Sequence, residues 1–203
     1  MRPRKQMDNL RLFQTAVSTD TLGPFRRFCV WVQGCQRGCP GCVSPEAQPL
    51  DGGYQISVEE LAGHIAAEPD IEGITVSGGE PYLQSESLCR LLGLLRAQRE
   101  LGVIVYTGYL FEEVRENPLT QLCDAVIDGS YVRALDDGLS LRGSSNQRIC
   151  FLTDRYRAQL RPSMWGRSTE LVSNREGGLS LVGVPSAHSV RTARRIVEFL
   201  GGK

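Results

Sequence analysis

The sequence predicts an α/β fold, a partial (β/α) barrel with a parallel sheet and outer helices. Short apolar, β-branched runs alternate with stretches of helical period, the pattern of parallel βαβ units. The chain has 203 residues, short of the ~250 that a closed eight-stranded barrel typically needs. Several strand-like runs end in glycine turns beside chemically notable residues, where α/β sheets place their sites.

Taken in order, Phe28-Cys29-Val30-Trp31-Val32 is a compact apolar run that leads into Gly34-Cys35. Ser57-Val58-Glu59-Glu60 has capping-box spacing, so a helix starts there and runs to about Ala67. Ile71 to Ser77 is β-branched and stops at Gly78-Gly79, a strand ended by a turn. Leu88, Leu91, Leu92 and Leu95 follow the spacing of one helix face. Val103 to Tyr106 is the next strand, and Ala125-Val126-Ile127 the one after, ending at Asp128-Gly129. Val190, Ala193, Val197 and Leu200 mark a last helix, with Arg191, Arg194 and Arg195 on a solvated face. No repeat or linker divides residues 1–203, so one domain is expected, with about 154–203 an extension of it. Function belongs at the strand C-termini: Cys35 to Cys42, Gly78 to Pro81, Thr107-Gly108 and Asp128-Gly129.

Composition excludes several classes. Hydrophobic residues at 41% and charged residues at 23% are ordinary for a globular protein, which argues against disorder, collagen and coiled coil. No apolar run reaches the ~18 residues of a membrane span. The basic Met1 to Lys5 is followed by polar residues and no apolar signal segment, so a cytoplasmic location without membrane attachment is expected. The net charge of zero gives no footprint for nucleic acid.

Seven cysteines stand out, and Cys35, Cys39 and Cys42 fall in one C-x3-C-x2-C loop. Cytosolic proteins rarely use cysteine for disulfides, so metal or redox chemistry is indicated. Thiolates suit zinc or iron–sulfur clusters, and Gly34, Gly38 and Gly41 let the backbone curl so that the sulfurs converge. Structural zinc takes four protein ligands, and only three are local. Three readings stay open at this point. A fourth ligand from Cys89, Cys123 or Cys150 would make a zinc knuckle or an electron-transfer cluster. A Cys39-x-x-Cys42 pair would make a redox disulfide. Three ligands on a four-iron cluster would leave one iron open, as catalysis requires. Otherwise Cys29, Cys89, Cys123 and Cys150 read as small core hydrophobes.

The cysteine loop followed by Gly78-Gly79-Glu80-Pro81 resembles the radical S-adenosylmethionine enzymes. More narrowly, Val32-Gln33-Gly34-Cys35, Cys39-Pro40-Gly41-Cys42, Tyr106-Thr107-Gly108-Tyr109, Ile127-Asp128-Gly129 and Arg142 to Arg148 resemble the activating proteins of anaerobic ribonucleotide reductase. The shared stretch runs roughly from Leu10 to Cys150. The resemblance implies a [4Fe-4S] cluster held by Cys35, Cys39 and Cys42, with S-adenosylmethionine on the fourth iron and its amino group received by Gly78 to Pro81. It implies a 5′-deoxyadenosyl radical that takes a hydrogen atom, most directly from a glycine of a glycyl-radical enzyme. A flavodoxin- or ferredoxin-type donor would supply the electron, and no catalytic side chain is implied beyond cluster and cofactor. A peptide or small metabolite as substrate, or a non-catalytic electron carrier, are the alternatives. Val43-Ser44 stands where the family usually shows an aromatic residue and Asn.

Thr107 and Asp128 end strands that should face the cofactor; a hydroxyl at Thr107 suits its carboxylate or ribose, and Asp128 a ribose hydroxyl. Tyr106 and Tyr109 share the Thr107 strand end, and an ordinary turn explains all four equally well. Asn146 and Arg148 suit a partner backbone or loop hydrogen bonds. Arg26 and Arg27 read as surface arginines, with a place near the cofactor carboxylate as the other option.

Overall fold

The computed structural model describes residues 8–18, 21–139, 141–160, 166, 168–173, 179–184, 191–193 and 195–198. Its centre is a seven-stranded sheet in the order β3-β1-β2-β4-β5-β6-β7. The strands are β1 (Asn9–Ser18), β2 (Arg27–Val32), β3 (Tyr54–Ser57), β4 (Gly73–Gly78), β5 (Gly102–Tyr106), β6 (Ala125–Asp128) and β7 (Arg148–Phe151). β2, β4, β5 and β6 run parallel, while β1, β3 and β7 extend the sheet antiparallel on its two sides. The α/β class and the parallel core therefore hold, as an open sheet with β3 and β7 at its edges.

The helices are α1 (Val58–Ala66), α2 (Ser85–Arg96) and the short α3 (Phe111–Val114). The Ser57 hydroxyl accepts the Glu60 N–H at 3.1 Å, so α1 starts where the capping pattern places it. Leu61 and Ile65 of α1, and Leu88, Leu91, Leu92 and Leu95 of α2, are buried in one cluster with Phe28, Val30, Ile74, Val76, Val103 and Val105 of the parallel strands. The alternate residues of those strands serve the other face: Ile104, Ala125 and Ile127 meet Leu141, Tyr156 and Leu160. Leu91→Ala is expected to cost roughly 2–5 kcal/mol in urea unfolding, the usual range for a cavity left in a core. A loss under about 1 kcal/mol would mean that α2 does not belong to the cooperative core.

β1, β3, β7, β8 and β9 go beyond the strands expected from the sequence. β1 begins with Leu10 and Leu12 toward the helices, but its register shifts between Leu12 and Gln14. After that bulge Ala16 faces the opposite side, with Cys29 and Trp31. The interruption breaks the period of two that a strand would otherwise show. That opposite side is covered by a hairpin of β8 (Thr169–Ser173) and β9 (Leu179–Gly183), which buries Val182 against Ala16, Leu22, Cys29 and Trp31. Residues 191–193 and 195–198 are helical; Ala193 is partly exposed and Val197 exposed. Val190, Arg194 and Leu200 lie outside the described residues.

Arg27 corrects an expectation. It opens β2 at the end of the sheet away from the cysteine loop and is 1% exposed. Its Nε donates to Thr75 Oγ1 (2.7 Å), Nη1 to Tyr156 OH (2.7 Å) and Glu72 (3.0 Å), and Nη2 to the Ile74 and Gly102 carbonyls (2.7 and 3.2 Å). The guanidinium also lies 4.9 Å from the Tyr156 ring centre. A buried charge so fully paired ties three strand starts to the 150s segment, and neither surface exposure nor the cofactor accounts for it. Arg26, by contrast, is a partly exposed partner of Glu68 at 3.2 Å. Glu72 keeps Arg155 at 2.8 Å, but Arg27→Ala leaves the buried Ile74 and Gly102 carbonyls without their guanidinium donor, and a loss of about 2–4 kcal/mol in thermal or urea unfolding is expected.

Candidate active site

The loops that follow the four parallel strands meet over one cavity. Cys35, Cys39 and Cys42 reach it after β2, Gly78, Gly79 and Glu80 after β4, Thr107 and Gly108 after β5, and Gly129 after β6. Of the residues expected to hold the cluster or the cofactor, Pro81 and Asp128 are not among those lining it. Pro81 is buried at the start of the short helical turn behind Glu80. Asp128 is 0% exposed. Its carboxylate accepts the Phe111 N–H (2.7 Å) and the Arg148 N–H and Nε (3.2 and 3.1 Å), and ion-pairs with Arg148 Nη2. It is spent on holding β6, β7 and the start of α3 together, so the ribose contact expected of it has no free carboxylate.

The cysteine loop is anchored at its base by backbone bonds. Gly34 N–H donates to Ala47 O (2.8 Å) and Cys35 N–H to Gln48 O (2.9 Å). The Gly-Gly-Glu turn is stitched to the same point: Gly79 N–H donates to Val32 O (2.7 Å) and Glu80 N–H to Gly34 O (2.8 Å). The two motifs, far apart in sequence, are thus one backbone unit. Gly34, Gly38 and Gly41 all have positive φ, the left-handed turns that the curled loop needs.

Glu80 is 1% exposed. Its Oε1 accepts the Thr107 hydroxyl (2.9 Å) and the Tyr82 N–H (3.2 Å), and Oε2 accepts the Gly108 N–H (2.9 Å). Burial pushes the carboxyl above its usual range, and the Gly108 and Tyr82 N–H groups, the Thr107 hydroxyl and the nearby Arg37 pull it back only in part. The carboxylate clasps the end of β5 to the end of β4 and leaves one Oε2 lone pair for a further donor. The Thr107 hydroxyl is committed to this clasp and also accepts the Tyr109 N–H (3.1 Å). Arg37, within the cysteine loop, stacks 4.7 Å over the Tyr109 ring and donates to Ser130 Oγ at 3.2 Å.

The donor set fits an iron–sulfur cluster. Three soft thiols come from one loop, all partly buried. Cys35 Sγ accepts the Arg37 N–H and Cys42 Sγ the Ser44 N–H, both at 3.4 Å, the bonds that steady a ligating sulfur. Burial pushes the Cys35 thiol up, the Arg37 N–H lowers it, and Glu80, Cys39 and Cys42 raise it further. Among the described residues no three His, Cys, Asp or Glu side chains are already gathered at metal-binding distance. A Cβ built at Gly38 would meet nothing within 4 Å, so the middle of the loop is open on that side. Cys29, Cys89, Cys123 and Cys150 are not among the cavity residues. Burial pushes Cys29 up to about 12, as suits an inert core thiol.

Sequence reasoning did not find Trp31, Tyr131, Gly183 or Val184 on the cavity wall. Trp31 sits on the non-helix side of β2, which strand alternation alone could have indicated. Gly143 and Gln147 also line the cavity and do fall in the Arg142 to Arg148 stretch. Gln147 Oε1 accepts the Gly143 N–H at 2.8 Å and its Nε2 donates to Gly129 O at 2.8 Å, which folds that stretch over the end of β6. Asn146 donates to Ser130 O at 2.8 Å.

The chain is similar to known iron–sulfur and activating proteins. A family model described as a 4Fe-4S single cluster domain matches residues 21–150. The chain is 33% identical over 138 residues to the anaerobic ribonucleoside-triphosphate reductase-activating protein of Enterobacteria phage T4, covering 65% of this chain and 88% of that one. The protein of the same name from Escherichia coli (strain K12) is 30% identical over 138 residues, with 63% and 89% covered. The pyruvate formate-lyase-activating enzyme of Clostridium pasteurianum is 33% identical over 99 residues, with 46% and 42% covered.

Proposed function

This chain belongs to the 4Fe-4S single cluster domain family and to the radical S-adenosylmethionine activating proteins, and from that premise we propose that it installs a glycyl radical on a partner enzyme of the anaerobic ribonucleotide reductase kind. Its cofactors are a [4Fe-4S] cluster and S-adenosylmethionine. Bound in this cavity, the pair would supply radical chemistry by reductive cleavage of S-adenosylmethionine, ending in removal of a hydrogen atom from the substrate.

The protein's own part is placement. Cys35, Cys39 and Cys42 would hold three irons as thiolates, with the Arg37 and Ser44 N–H groups steadying two of the sulfurs. Gly78 and Gly79 would present bare backbone to the methionine end of the cofactor, and the Glu80 charge favours its ammonium. Thr107 and the Gly108 N–H fix that charge in place rather than bind the cofactor themselves. Pro81 sets the turn behind them.

The observation that carries the reading is the single cavity shared by the three-cysteine loop and the Gly-Gly-Glu turn, with none of the other four cysteines on its wall. An electron carrier or a zinc knuckle completed by Cys89, Cys123 or Cys150 would need that sulfur there. We read the chain as one unit, with 154–203 an extension, because Val182 packs into the same core as Ala16 and Trp31. The electron donor is proposed to be a flavodoxin or ferredoxin. No helix among the described residues is long and apolar enough to cross a membrane, and a cytoplasmic site of action is proposed.

Anaerobic reconstitution with iron and sulfide, followed by dithionite and S-adenosylmethionine, tests the reading. The expected result is 5′-deoxyadenosine and a cofactor-induced change in the cluster EPR signal. A cluster whose signal ignores the cofactor would overturn it.

A further inference from the structure

We propose that the β8–β9 hairpin is a specificity-determining element, whose Gly183–Val184 end forms a wall of the cavity and limits the bulk of the hydrogen donor. The inference rests on the radical reading above and goes beyond it in saying which part of the chain chooses the donor. The hairpin lies outside the matched span of residues 21–150, so the shared chemistry does not require it. It is nevertheless seated on the sheet. Val182 is fully buried with Leu22, Cys29 and Trp31, and Ser180 Oγ donates to Gln14 Oε1 at 3.0 Å. From that seat Gly183 and Val184 line the same cavity as the three cysteines and Glu80.

Position gives the hairpin leverage over size. Gly183 holds φ +109, and a Cβ there would stand 2.6 Å from the Ser168 carbonyl oxygen, so the backbone at this wall is fixed. Val184 follows it directly and is partly exposed. Charge gives little leverage: among the lining residues only Glu80 and Arg37 are charged. Glu80 is bound by Thr107, Tyr82 and Gly108, with its remaining lone pair assigned above to the cofactor's ammonium, and Arg37 is held by Ser130 and the Tyr109 ring. Discrimination at this wall is therefore steric, and one methyl group in such a site is worth about tenfold or more.

The test uses the full chain and two short uncharged peptides, one with an α-deuterated glycine and one with an α-deuterated alanine in its place. Two readouts are taken: peptide affinity to the chain without cluster, by equilibrium dialysis, and deuterium carried into 5′-deoxyadenosine by the reconstituted enzyme. Val184→Ala is expected to shrink the preference for glycine over alanine by about tenfold in both, and Val184→Trp to weaken the glycine peptide by about tenfold. Leu179→Ser, at a 40% exposed position on the same hairpin, is expected to leave the preference as it is. An unchanged preference in Val184→Ala, with its thermal melt intact, overturns the inference; that arm decides even if the tryptophan variant does not fold. Shifted peptide affinities without any 5′-deoxyadenosine would instead sink the radical reading and leave the wall standing.

Discussion

Serine in place of Cys35, Cys39 or Cys42 is expected to abolish the cluster, and with it all cofactor cleavage. The substitution keeps size and hydrogen bonding but replaces a soft thiolate by a hydroxyl that iron–sulfur clusters do not hold well. Two of the sulfurs already accept backbone N–H bonds, from Arg37 and Ser44, so the loop is built around sulfur at these points. The contrast lies in the other four cysteines. Cys123 is buried and donates to Leu119 O at 3.2 Å in the helix-side core, and Cys29 is buried on the opposite face. Serine at Cys123 or Cys29 is expected to cost stability of about 1–3 kcal/mol through burial of a hydroxyl, with iron and sulfide per chain unchanged. Serine at Cys89 or Cys150, both only partly buried, should do less. Iron and sulfide analysis after anaerobic reconstitution, with the EPR spectrum, separates the two groups. If loss of Cys89, Cys123 or Cys150 emptied the site, the cluster would have a fourth protein ligand and the open iron would be gone.

What could be read from the sequence follows a physical line. The parallel strands β2, β4, β5 and β6 are buried on both faces, so each appears as a near-continuous apolar run. α1 and α2 carry strong local signals, a capping box and a leucine spacing. The cysteine loop and the Gly-Gly-Glu turn are local motifs, and local motifs survive reading in one dimension. β1 was hidden because Arg11, Gln14 and Thr15 interrupt it and a bulge reverses its faces. Arg27 reads as a surface residue and the partners of Asp128 stay hidden for a shared reason: each is a charged residue whose partners are remote in sequence. Tyr156 stands 129 positions from Arg27, and Arg148 stands 20 from Asp128. A turn signal at Asp128-Gly129 says nothing about which way the carboxylate points. The hairpin has no motif at all, and its place on the cavity wall follows only from the packing of Val182.

Alanine at Gly79 is expected to remove cofactor binding as completely as loss of a cysteine, though the residue touches no metal. A Cβ built there would stand 2.2 Å from the Gly34 carbonyl oxygen, 2.7 Å from its carbon and 2.8 Å from the Ala47 oxygen. All three are backbone atoms, and none can swing aside. Relief requires the Gly-Gly-Glu turn to part from the base of the cysteine loop, which breaks the Gly79 to Val32 and Glu80 to Gly34 hydrogen bonds. Glu80 then leaves Thr107 and Gly108, and the methionine end of the site loses both its shape and its charge. Gly108→Ala is the matched control. Its nearest obstacle is Arg37 Cγ at 2.9 Å, part of a flexible and exposed side chain that can move. Gly79→Ala should therefore still assemble some cluster from the intact thiols yet show no EPR response to S-adenosylmethionine, with cleavage down by at least about a hundredfold. Gly108→Ala should respond to the cofactor and lose less than about tenfold. Equal behaviour of the two variants would show that backbone contact between the turn and the cysteine loop is not what places the cofactor, and would shift that role to Glu80 alone.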